Sequence, residues 1–163
     1  MSPLDDVNGP PPSVYTHGVV GRRPAIAGTN GEIICLDKFN YGGTTISQSI
    51  TISCGDGLWE ATGGFIQIST PAGADVVIEG LVIDGLGFSG SVLFMNGQGL
   101  GAGSVAVKIG NSQITGNVNG LAVDGTGQIL TLGGNQLHSN LSNGSFTGRA
   151  RGSTRHMRHA RYR

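Results

Sequence analysis

Few side chains in the middle of this chain can do acid–base chemistry, and they are spread thinly. Between Thr44 and Phe146 the candidates expected to face outward are Glu79, Asp84, Lys108, Asp124 and His138. Carboxylates set close together can donate and accept a proton at a glycosidic bond or hold calcium, and a cation can face an acidic sugar. Asp84, Thr115 and His138 follow one another at steps of 31 and 23 residues. If they lie on successive strands, Asp84 and His138 stand roughly 9.6 Å apart, beyond hydrogen-bond reach. Asp84, Glu79 and His138 are thus candidates for a sugar-spanning catalytic set and, on the plainer reading, solvated corner residues. No arginine interrupts this region, and no strand carries a pair of aspartates. Trp59, beside Asp56 and Glu60 in a glycine-bounded loop, either stacks on a sugar ring or anchors that loop.

The elements that must position these groups repeat. Val76-x-Ile78-x4-Ile83, Val107-x-Ile109-x4-Ile114 and Leu130-x-Leu132-x4-Leu137 share one rhythm, and Ile66-x-Ile68, Leu93-x-Met95 and Leu121-x-Val123 interleave with it. Alternation of two inside a period of 20 to 50 residues marks stacked repeats, each burying its apolar side against its neighbours. Strands separated by another strand and several glycine corners cannot be hairpin partners, so like stacks on like in parallel. The pattern predicts an interior column of Ile78, Ile109 and Leu132, a second of Ile83, Ile114 and Leu137, and a corner position shared by Leu86, Asn117 and Asn140. Stacked asparagines can exchange amide hydrogen bonds there.

Ile33-x-Cys35 and Ile52-x-Cys54 repeat 19 residues apart. Parallel neighbours near 4.8 Å fall within the Cα separation a disulfide accepts. The pair is either a disulfide or two small buried thiols. Two cysteines without paired histidines make no zinc site, and no metal is expected. Gly97-x-Gly99-x-x-Ala102 matches a dinucleotide fingerprint but leads into an alternating strand, Val105 to Ile109, instead of a helix, so no cofactor is expected either.

Thirty glycines in 163 residues, with 12% charged and 6% aromatic residues, suit many short strands joined by tight corners. The expected fold is all-β, a parallel solenoid of about three to four turns with irregular flanks. Residues 1–30 form an irregular N-terminal segment, 31–148 the repeat domain and 149–163 a basic tail. The N-terminal segment contains Gly9-Pro10-Pro11-Pro12 and Arg22-Arg23-Pro24, and proline there opposes regular pairing. Through Gly148 four basic residues meet ten acidic ones, a balance of −6, and six arginines from Arg149 onward restore neutrality. That tail is read as a disordered extension foreign to the fold or as an arm for nucleic acid, an acidic partner or an anionic membrane surface. No 18-residue apolar run and no basic-then-apolar start of the signal-peptide kind is present.

The whole pattern resembles the right-handed parallel β-helix of the pectate-lyase-like superfamily. Asn30-Gly31-Glu32-Ile33-Ile34-Cys35-Leu36-Asp37, followed by Thr45 to Cys54, is similar to the opening rungs of small, uncharacterised bacterial exported β-helix proteins. Leu132-Gly133-Gly134-Asn135 through Asn143-Gly144-Ser145-Phe146-Thr147-Gly148 is similar to their last rung, so the resemblance covers about residues 30 to 148. It implies an extracellular or periplasmic protein but supplies no activity to carry over. Departures are the missing signal peptide, the lack of a cysteine-containing N-terminal segment and fewer turns, with 98–104 a candidate for where turns are missing. Asn140-Leu141-Ser142 and Asn143-Gly144-Ser145 match glycosylation acceptors, which mean little in a chain that resembles bacterial proteins.

The reading that follows is a noncatalytic β-helix, structural or binding a polysaccharide or cell-surface glycan through its sheet faces and Trp59. The alternative is a carbohydrate-active enzyme, a polysaccharide lyase or glycoside hydrolase, or a degenerate remnant of one. So short a stack, poorly covered at both ends, is expected to self-associate through exposed rung edges.

Overall fold

Alternation decides the strands. In β6 (Asp75–Asp84) Val76, Ile78, Leu81 and Ile83 are buried, while Val77, Glu79, Val82 and Asp84 are half-buried. That is the period of two expected when one face of a strand meets a core. The structure, a computed structural model, describes residues 13–16, 27–35, 44–60, 66–85, 91–97 and 105–151, with 13–16, 55–60 and 91–97 described through their backbone. The Leu86 corner position, the 98–104 segment and the tail from 152 onward lie outside the described residues.

The chain is all-β, and its strands pair in parallel in two sheets. The larger sheet runs β1 (Ser13–Thr16), β2 (Gly31–Cys35), β4 (Ile50–Glu60), β6, β8 (Ala106–Gly110), β11 (Gln128–Gly133) and β13 (Gly148–Arg149). Beside it β9 (Gln113–Thr115) pairs with the second half of β6 and with β12 (Gln136–Leu137). The smaller sheet runs β10 (Asn119–Gly125), β7 (Ser91–Gly97), β5 (Ile66–Ile68) and β3 (Thr44–Ile46). Its register matches the sequence pattern, with Ile66 opposite Leu93 and Leu93 opposite Leu121, and Ile68 opposite Met95 and Met95 opposite Val123.

Both sheets contribute to one core. Ile33, Ile52, Ile78 and Ile109 form one column of register partners, and Ile50, Val76, Val107 and Ile129 a second. Ile46, Ile66, Ile68 and Leu121 of the smaller sheet join the same apolar cluster. Burying one such aliphatic side chain contributes about 1.5–3 kcal/mol.

Three expectations need correction. The column predicted to end on Leu132 ends on Thr131, because Ile129 pairs with Val107 and Thr131 with Ile109, and a bulge between Thr131 and Gly133 absorbs the extra residue. Beyond it Leu137 pairs with Ile114 as predicted. The glycine-bounded loop around Trp59 is part of strand β4, which resumes after its own irregularity between Ser53 and Gly57. Within 1–30, expected to be irregular, Ser13–Thr16 pairs with Glu32–Cys35, and Ala27 is buried in the core cluster. At the other end β13 crosses the 148/149 boundary, and Thr131 faces Arg149.

The corners follow a backbone rule. Gly80, Asn111 and Gly134, each just past the register set Glu79, Gly110 and Gly133, have φ of 72°, 48° and 71°. Glycine enters this left-handed region freely, and asparagine is the residue that tolerates it next best. At the next corner Asn117 and Asn140 stack as predicted: Asn140 Oδ1 accepts from Asn117 N–H at 3.0 Å and from Asn117 Nδ2 at 2.9 Å, while Asn140 Nδ2 donates to the Ile114 carbonyl at 3.0 Å. Leu141–Ala150 then runs along the margins of both sheets. Leu141 and Ser142 donate to the Asn117 and Val118 carbonyls, and Thr147 and Ala150 to those of Ile129 and Thr131.

Candidate functional site

The second half of β6, with β9 and β12 beside it, presents one row of polar residues. Trp59, Ile83, Ile114 and Leu137 share a register column, and Ile83 and Ile114 are fully buried. The flanking positions therefore carry Val82, Gln113 and Gln136 on one side and Asp84 and Thr115 on the other. His138 continues the second row, its N–H donating to the Ile114 carbonyl at 3.2 Å. The structure thus brings Asp84, Thr115 and His138 into succession across three neighbouring strands.

His138 is held by uncharged groups. Gln113 Nε2 lies 2.9 Å from His138 Nε2. With the amide assigned this way an NH2 group can only donate, so His138 Nε2 is the accepting atom of this contact. Nδ1 in turn lies 3.1 Å from Ser139 Oγ and 3.4 Å from Thr115 Oγ1. A histidine tuned as a general base ordinarily has a carboxylate behind it to stabilise the imidazolium. Here an amide and two hydroxyls occupy both ring nitrogens.

The other candidates separate. Glu79 lies across the Gly80 corner from Asp84, in register with Ser53 and Gly110. Asp124 belongs to the smaller sheet, opposite Asn96. Lys108 Nζ forms an ion pair with Asp75 Oδ2 at 2.7 Å, the two side chains being 31% and 56% exposed. Trp59 occupies the register position of buried Ile83, the opposite parity from Val82 and Asp84. Among the described residues no group of three or more His, Cys, Asp or Glu converges to hold a metal ion, and no helix is long and apolar enough to cross a membrane.

Two polar positions, one in each row, are not evident from the sequence. Glu60 is the register partner of Asp84, so two carboxylate residues sit on adjacent parallel strands. The irregularity between Ser53 and Gly57 hid this, since it breaks the count from the upstream half of β4. Gln113 was legible in principle, because Gln113 and Gln136 repeat the 23-residue step of Ile114 and Leu137.

Cys35 and Cys54 form a disulfide between β2 and β4, with Cα atoms 4.5 Å apart. It follows the register that pairs Ile34 with Ser53. Cys54 is fully buried and Cys35 packs against the core cluster, so the bond serves packing rather than a reactive surface.

Comparison of the chain with family models, curated proteins and solved structures finds no match in any of the three.

Proposed function

We propose that the chain winds as a short right-handed parallel β-helix of about three to four turns and acts outside the cytoplasm as a noncatalytic protein. Its role on this reading is structural or adhesive, with outward rows engaging a polysaccharide or cell-surface glycan. The winding is supported by same-sense pairing at long sequence offsets, from Gly31 to Ile50, Val76, Val107 and Ile129 in turn. The family resemblance over about residues 30 to 148 supports the handedness and the exported location.

One observation carries the noncatalytic reading. The groups that hold the His138 ring are an amide and two hydroxyls, not a carboxylate, and Asp84 and His138 have Thr115 between them. Rows of amides and hydroxyls are suited to hydrogen-bonding sugar hydroxyls, and a histidine held by such groups has no carboxylate behind it to support it as a general base. A glycan array run beside reducing-sugar and unsaturated-product assays tests the reading. Binding without turnover supports it; turnover abolished by Asp84→Ala overturns it.

The register of Glu60 with Asp84 favours a second reading, a carbohydrate-active enzyme or a degenerate remnant of one. Adjacent parallel strands stand about 4.8 Å apart, close to the roughly 5–5.5 Å between the carboxyl groups of retaining glycosidases. On this reading Glu60→Gln and Asp84→Asn each abolish release of reducing sugar while leaving the fold intact.

A further inference from the structure

The geometry points to Asn143 as a self-modifying position, where the chain's own Gly144 amide and water convert an asparagine side chain into a carboxylate. Asn–Gly is the step most open to this chemistry, because glycine has no Cβ to obstruct attack by its own nitrogen. The chain contains five such steps, at Asn8, Asn30, Asn96, Asn119 and Asn143. Asn8 lies outside the described residues, and Asn96–Gly97 lies within the ladder of β7 and β10.

The remaining three differ at the attacking nitrogen. Gly31 N–H donates to the Gly28 carbonyl at 3.2 Å, and Gly120 N–H donates to the Ser142 carbonyl at 2.8 Å. An amide held this way cannot turn onto the neighbouring side chain unless the local structure opens. Gly144 N–H donates none of the hydrogen bonds among the described residues; its peptide is held on the other side, where the Asn143 carbonyl accepts from Leu121 N–H at 3.0 Å, and both Asn143 and Gly144 are exposed to water. The electrophile is also prepared. Asn140 Nδ2 donates to Asn143 Oδ1 at 2.9 Å, which polarises the Cγ carbonyl and stabilises the negative charge that develops on its oxygen during attack.

The step balances without oxidant or reductant. Gly144 N gives its proton to water or hydroxide and bonds to Asn143 Cγ, the Cγ–Nδ2 bond breaks, and ammonia leaves, closing a five-membered succinimide. Water then opens the ring at either carbonyl carbon, producing aspartate or isoaspartate at position 143. Isoaspartate adds a carbon to the main chain beside the Asn143 carbonyl, which accepts from Leu121 N–H at 3.0 Å. Modification therefore loosens the last segment where it borders β10.

The test is incubation of the full chain in mildly alkaline buffer, followed by peptide mapping. Electron-transfer fragmentation and methyl transfer by an isoaspartyl methyltransferase mark isoaspartate. Asn143 is expected to gain about 1 Da, about tenfold or more faster than Asn30 and Asn119, whose amides must first be released. In denaturant the three rates should converge. Equal rates in the folded protein, or the same order persisting in denaturant, would overturn the proposal. Accelerated hydrogen exchange at Leu121 in the aged protein is the second readout, and unchanged exchange alongside complete conversion would refute the structural consequence.

Discussion

Asn140 Oδ1 serves two donors on Asn117 at once, the backbone N–H and the side-chain Nδ2, at 3.0 and 2.9 Å. Asn117 is only 4% exposed, so water cannot replace what Asn140 supplies. Asn140→Ala leaves the Asn117 N–H without its acceptor, while Asn117 Nδ2 keeps the Thr115 carbonyl at 2.6 Å and the Ile114 carbonyl keeps His138 N–H at 3.2 Å. A loss of about 2 kcal/mol is expected, since each buried group left unpaired costs about 1–3 kcal/mol before relaxation. Urea titration of the variant against the parent checks it, and an unchanged midpoint would show that the ladder is not structural.

Two glycines separate steric from backbone demands. A Cβ at Gly85 would run into Asn117 Oδ1 and sit 2.8 Å from the Gly116 carbonyl oxygen. A Cβ at Gly73 meets nothing within 4 Å, but that residue has φ of +80°. Gly73→Ala should cost about 1–2 kcal/mol, the penalty for a left-handed residue with a Cβ. Gly85→Ala should cost more, because its Cβ displaces the stacked asparagine, whose amide is hydrogen-bonded in place, and the Gly116 backbone carbonyl. Thermal melts of the two variants give the order.

The bulge in β11 makes a prediction about neighbours. Ile109 is fully buried opposite Thr131, while Leu132 is half-buried at the irregularity. Ile109→Ala is expected to lose about 2–5 kcal/mol, and Leu132→Ala about 1 kcal/mol. Equal losses in denaturant titration would restore the register in which Leu132 faces Ile109.

The disulfide closes a loop with a sequence separation of 19. Constraint of the unfolded chain by a loop of that size is worth about 3 kcal/mol. Oxidised protein should weigh about 2 Da less than reduced protein and resist alkylation. The Cys35→Ser, Cys54→Ser double variant should unfold at lower denaturant. Two freely alkylated thiols in oxidised native protein would exclude the bond.

The ion pair of Lys108 and Asp75 is short but exposed. Solvent and salt screen such pairs, so a double-mutant cycle with alanine at both positions should return a coupling below about 1 kcal/mol. A larger coupling that persists in high salt would contradict this.

Legibility in the sequence depended on whether alternation had a single solution. Ile66-x-Ile68, with Gln67 between its apolar residues, allows one phase, and the register of Leu93-x-Met95 and Leu121-x-Val123 with it is the predicted one. Ile129-Leu130-Thr131-Leu132 allows two, since apolar residues occupy both parities. The inward phase falls on Ile129 and Thr131, and the Thr131 hydroxyl is satisfied by Gly133 N–H at 3.0 Å and Asn135 Nδ2 at 2.9 Å. No count of apolar residues weighs those hydrogen bonds. Ser13–Thr16 was illegible for a different reason: four residues after three prolines have no pattern of their own and form a strand only against β2. In the candidate site the row through Asp84, Thr115 and His138 followed from constant steps, whereas Glu60 was concealed by the break in β4.

All the pairings of the larger sheet are parallel, from β1 at one margin to β13 at the other. Its margins are therefore unlike, and no twofold axis can match either one to itself while keeping the strand sense. Edge-to-edge addition of a second molecule in that sense would join unlike ends and leave a fresh copy of each exposed. Such contact has polarity: it does not close on a dimer, and its products are rings or open fibres.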